Sequence, residues 1–143
     1  MTETLLLDEI NKQLATAKSS SGRALFKQVI MGTVPPPDAI RSYPSVAFYI
    51  AESQYNDNKT YQTVTSEVLI YLYNRHTTTG LSVEDIDSNL IREIRGIINS
   101  KLVDKNILSS VVVSSIRDGG SIFPRTVVEL TATIEYVESK DCN

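Results

Sequence analysis

Residues 64–75 read VTSEVLIYLYNR, and the way their alternate positions divide decides the fold. Side chains of an extended chain point to opposite faces in turn. Val64, Val68, Ile70 and Leu72 therefore share one side. The other side begins polar, at Thr63, Thr65 and Glu67, and ends as Leu69, Tyr71 and Tyr73. A long strand with one largely apolar side belongs to a sheet covered on that face. From Val68 to Tyr73 both sides are apolar, so the second face needs a cover as well. Two covers suit it: the chain's own proline-rich connector, or a neighbouring subunit.

Working outward, QYNDNKTY before this strand supplies turn chemistry at Asn56–Asn58. The run SVAFYIAE, with Val46, Phe48 and Ile50 on one face, is then its hairpin partner. Further upstream, TVPPPDAIRSYP is a connector whose consecutive prolines cannot donate ladder hydrogen bonds. A short strand through Val29–Met31, closed by Gly32, precedes it. The chain opens on an amphipathic helix with Leu6, Ile10, Leu14 and Ala17 at helical spacing, Thr2 as N-cap and Ser19–Gly22 as its stop.

Downstream, residues 77–101 predict a second helix. Val83, Ile86, Leu90, Ile91, Ile94, Ile97 and Ile98 fill one apolar arc, and Ser82 with Asp85 resembles a capping box. Gly96 falls on its polar side with no evident packing reason. Two more strands flank the turn at Asp118–Gly120, the last with Val128, Leu130, Ala132, Ile134 and Tyr136 alternating with mostly polar residues. The order α-β-β-β-α-β-β predicts an α+β two-layer sandwich: a mostly antiparallel sheet with two helices, in a single domain over residues 1–143.

Composition narrows the function classes. A net charge of −3, with basic residues scattered, argues against a protein that works by neutralising phosphates. The longest apolar runs are too short to span a bilayer, and the N-terminus lacks the basic region of a signal peptide. The only cysteine, Cys142, cannot form an internal disulfide, which fits a reducing cytoplasm.

No catalytic, cofactor-binding or metal-ligating set emerges, and the chain reads as a non-enzyme. His76, the only histidine, has no HExxH pattern or Cys/His cluster around it and reads as a solvated loop residue. Arg117–Ser121 lacks the spacing of a phosphate loop and reads as a plain hairpin turn. Glu84, Asp85 and Asp87 complement the dipole at the start of the second helix, on a phase that faces water. The seven tyrosines, with tryptophan absent, suit burial or a protein interface better than base stacking.

In element order and wording the chain resembles the tail terminator proteins of long-tailed bacteriophages. The likeness is carried by LLLDEINKQLATA, VIMGTVPPPDAIRSYPSVAFYI, VTSEVLIYLYNR, VEDIDSNLIREIRGIIN and DGGSIFPRTVVELTATIEYV. It covers nearly the whole chain, as a pattern and without a catalytic signature. The resemblance implies a structural virion protein of the tail and neck, assembled in the host bacterial cytoplasm. Six copies would form a ring that caps the tail tube, stops its polymerisation and presents a docking surface to the head-tail connector. DNA would pass through the lumen without specific binding, and no membrane is involved. Leu69, Tyr71 and Tyr73 are then candidates for the subunit interface. The turns at Asn56, Asp57 and Asn58 and at Asp118, Gly119 and Gly120 are candidates for contact with tube or lumen. Another phage neck or tube component, or a small α+β ligand-binding module, is the alternative.

Overall fold

The computed structural model describes residues 1–57, 61–76, 83–102, 104, 106–122 and 124–139. In chain order the elements are α1 (Glu3–Ala15), β1 (Gln28–Met31), β2 (Ser45–Asp57), β3 (Tyr61–Arg75), α2 (Val83–Gly96), β4 (Ile107–Asp118) and β5 (Arg125–Ser139). A 3-10 turn at Pro37–Ala39 and a π-type turn at Ile97–Lys101 complete them. The fold is α+β, with two helices and one mixed sheet.

The strand order is β1-β2-β3-β5-β4, so the long strand β3 lies at the centre. β3 pairs antiparallel with β5 along its whole length, from Tyr61↔Ser139 to Arg75↔Arg125, without a break in register. On its other side it pairs with β2, where one bulge falls between Ile50 and Glu52. β1 pairs parallel with β2, Gln28↔Ser45 through Met31↔Phe48. A parallel pair needs a crossover of about a dozen residues or more. The proline connector is that crossover, and this gives the prolines their purpose: an extended path that returns without competing for the ladder.

The core on one face of the sheet follows the alternation. Val64, Val68, Ile70 and Leu72 of β3 join Val46 and Phe48 of β2 and Val128, Leu130, Ala132, Ile134 and Tyr136 of β5. Leu6, Ile10 and Leu14 of α1, Ile91 and Ile94 of α2, and Ile97 and Ile98 join the same cluster. Each such side chain contributes roughly 1.5–3 kcal/mol of transfer free energy when fully buried. α1 starts as its sequence dictates: the Thr2 hydroxyl accepts from the Leu5 amide at 3.2 Å.

The second helix differs from the expected continuous helix. Asp87 inside it has non-helical backbone angles (φ −102°, ψ 15°), and beyond Gly96 the winding loosens into the π-type turn. The Ser82–Asp85 capping box lies outside the residues whose side chains are described. β4 is an edge strand, and the turn after α2 blunts that edge. The Asn99 side-chain oxygen accepts from the Val112 amide at 3.0 Å, and the Ser110 hydroxyl donates to the Ile98 carbonyl at 2.6 Å.

Candidate assembly face and its polar neighbours

The odd positions of β3 define the sheet's second face, and its cover changes from end to end. Near Arg75 the connector folds over it. Ile40, Ala47, Tyr73 and Val127 form a small second core, with Ile30, Val34, Tyr43 and Tyr71 against it. Tyr73 is 2% exposed, and its hydroxyl donates to the Pro35 carbonyl at 2.7 Å. The chain's own crossover therefore fills the role expected of a neighbouring subunit at Tyr73, because a parallel strand pair had to be closed there. Burial pushes the Tyr73 hydroxyl up to about 12.

Leu69 and Tyr71 lie where this cover ends, and both remain half-buried. Tyr71 donates to Glu129 at 2.8 Å, and desolvation together with that carboxylate raises its pKa to about 12. Beside it a cavity of about 370 Å³ is lined by Gly32, Thr33, Val34, Tyr49 and Tyr71.

Charge is unevenly distributed over the same face. At one end Arg75 stands directly opposite Arg125, and with Arg41 they line a cavity of about 360 Å³ walled by Ile40, Tyr43 and Pro124. Arg125 pairs with Asp38 at 2.9 Å, while Arg41 donates to the carbonyls of Asp38 and Ile40. Toward the other end Glu52 stands directly opposite Glu67, and both are exposed. Like charges placed opposite each other across strands are destabilising.

A polar cluster joins α2 to the ends of β3 and β5, and here two expectations fail. Asp87 does not face water: it is 1% exposed. One of its oxygens accepts from Asn74 at 3.0 Å and contacts His76 Nε2 at 2.7 Å, and the other accepts from the Thr126 hydroxyl at 2.9 Å. His76 is accordingly not a freely solvated loop residue, and its amide extends the ladder to the Pro124 carbonyl at 2.7 Å. The local departure from helical geometry at Asp87 turns its side chain inward, against the phase that a regular helix would give it. A buried carboxylate requires such partners, and the cluster pins the helix to the sheet. Among the described residues no group of three or more His, Cys, Asp or Glu could hold a metal ion.

The candidate contact turns are also more constrained than their sequences suggest. Asn56 and Asp57 belong to β2, paired with Thr63 and Gln62, and Asn58 lies outside the described residues. In the β4–β5 hairpin, one Asp118 oxygen accepts from the amides of Gly120 and Ser121 at 2.9 and 2.7 Å. Chiefly the Ser121 amide holds that carboxyl below its ordinary value, against a smaller opposing effect of burial. A Cβ on Gly119 would meet Val127 Cγ1 at 2.8 Å and the Tyr71 ring at 3.3 Å, while Gly120 has φ +111°. Gly119 is thus required by close packing and Gly120 by its backbone angle.

Searched against known protein families and against characterised proteins, the sequence matches no family model and no relative.

Proposed function

We propose that this chain is a ring-forming structural subunit of a long-tailed phage, of the tail terminator type. In this reading the fold is a two-layer sandwich, with α1 and α2 covering one face and the other face available for assembly. Six copies close into a ring on the end of the tail tube, halt its growth and offer the head-tail connector a docking surface. The tube protein, the connector protein and further copies of the chain are its partners. DNA traverses the lumen without specific contacts, and the protein resides in the virion after assembly in the host cytoplasm.

The observation that carries the reading is the second face of the sheet. It is closed by the connector at Tyr73, only half-covered at Leu69 and Tyr71, and marked by like-charge cross-strand pairs at Arg75/Arg125 and Glu52/Glu67. Such a face suits contact with another protein surface better than contact with bulk water.

Light scattering over a range of protein and magnesium concentrations tests the proposal. The expected result is a discrete species of about six times the 15.9 kDa chain mass. A strict monomer at every concentration, and also in the presence of tube ends, would overturn it.

A further inference from the structure

The two charged ends of the second face are complementary to each other, and within the chain the basic end is only partly neutralised, by Asp38. At the basic end three guanidinium groups border one cavity, and the ion pair given to them among the described residues is that of Arg125 with Asp38, whose side chain is 88% exposed. At the acidic end the described residues supply no ion pair to Glu52 or Glu67. Glu135 adds to this end: it is paired with Thr65, two positions along β3 from Glu67. Because β3 has no break in register with β5 from Tyr61 to Arg75, Glu67 and Arg75 project from the same face. Eight residues of strand separate them by roughly 26 Å. That is too far for the ends to neutralise each other within one copy at physiological ionic strength, where screening acts over about 8 Å.

Each like-charge pair opposes pairing of the strands that carry it. An opposite charge brought up from outside relieves that repulsion, and it does so at both ends if the surface brought up is another copy of the same chain. We infer that the cavity lined by Arg41, Arg75 and Arg125 is a carboxylate-binding pocket for Glu52 and Glu67 of an adjacent copy. The guanidinium groups provide forked donors matched to carboxylate geometry. Ile40, Tyr43 and Pro124 form a partly apolar wall that strengthens the contact by excluding water. In a ring the contact is heterologous, the basic end of one copy meeting the acidic end of the next. Leu69 and Tyr71 lie between the ends and supply apolar area. The inference rests on the reading of the chain as self-assembling.

Charge reversal gives a test in which folding and assembly respond in opposite directions. Arg75→Glu places a carboxylate opposite Arg125, and Glu67→Arg places a guanidinium opposite Glu52. Each replaces a repulsive cross-strand pair with an attractive one. Both variants are expected to unfold at a urea concentration equal to or above that of the wild type. Their midpoint concentration for assembly is expected to rise about tenfold or more. The double variants R75E/R125E and E52R/E67R are expected to stay monomeric alone and to co-assemble when mixed, since every contact then joins a negative end to a positive one. Wild-type assembly is expected to weaken as sodium chloride is raised.

Variants that assemble at the wild-type concentration, and double variants that fail to rescue each other, would overturn the contact while leaving the ring intact. Assembly that stops at two copies, yet is still lost in Arg75→Glu, would support the contact and overturn the ring. Wild-type protein that never self-associates would overturn both.

Discussion

Replacing Asp87 with alanine leaves Asn74, His76 and Thr126 turned toward a cavity that no longer accepts their hydrogen bonds. With the site almost fully buried, the cost should be about 3 kcal/mol or more. Thr126→Val keeps the shape and removes one donor, so it should cost about 1–2 kcal/mol. Urea unfolding of the two variants checks the ranking, and equal midpoints would contradict it. None of this was legible in the sequence, where Asp87 sits among acidic residues in the first turns of a helix. Its inward aim comes from one residue's backbone angles, and hydrophobic periodicity says nothing about those. Tyrosines at the same scale make a pH prediction. Tyr71, Tyr73 and Tyr136 all have folded-state pKa values raised to about 12, chiefly by desolvation, against an ordinary value of 10.0. The folded state therefore holds these protons more tightly than the unfolded chain does. Their stabilising contribution is complete below pH 10 and is lost as pH rises toward about 12. Tyrosinate absorbance should rise together with unfolding in that window, and Tyr73→Phe should narrow the loss.

Elements were legible to the extent that their own periodicity carried them. The alternation in residues 64–75 placed β3 and identified its core side, because a strand's parity is a local property. The spacing of Leu6, Ile10 and Leu14 did the same for α1. Pairing between distant segments was less accessible: nothing local to Val29–Met31 says that this strand runs parallel to β2, and that pairing decides where the connector lies. Parity alone leaves Tyr73 equally suited to an interface or to the connector, and only the crossover's path decides for the connector. Two glycines extend the contrast between local and distant causes. Gly96 has helical angles (φ −61°, ψ −41°) and nothing within 4 Å of an added Cβ. Gly96→Ala should therefore stabilise the fold by about 0.5–1 kcal/mol. Gly119→Ala drives a Cβ against Val127 and the Tyr71 ring and should destabilise by about 1–3 kcal/mol. Thermal unfolding of the pair should show shifts of opposite sign.

Across the whole molecule, the sheet and the assembly proposed for it make different demands on the same residues. Leu69 is half-buried on the second face and lies beyond the small core that encloses Tyr73. Leu69→Asn should leave a folded monomer with near wild-type secondary structure by circular dichroism and a light-scattering mass close to 15.9 kDa. Retained assembly would move the interface elsewhere on the surface. The candidate face was legible as far as its apolar half, because strand parity alone places Leu69 and Tyr71 on it. Its charged ends were not, because Arg75 meets Arg125, and Glu52 meets Glu67, only once the register between strands is known.

The strand order also bears on how the protein comes into being. β5 is made after every other strand, yet it lies between β3 and β4 and is the link that joins them. A chain emerging from the ribosome can form the β2–β3 hairpin early, but β4 must wait without a partner until residues 125–139 arrive to insert beside it. A chain interrupted before that point leaves the facing edges of β3 and β4 with unpaired backbone N–H and C=O groups. The sheet is thereby closed only once β5 is in place, and a chain without it would leave those edges open to proteases and to one another.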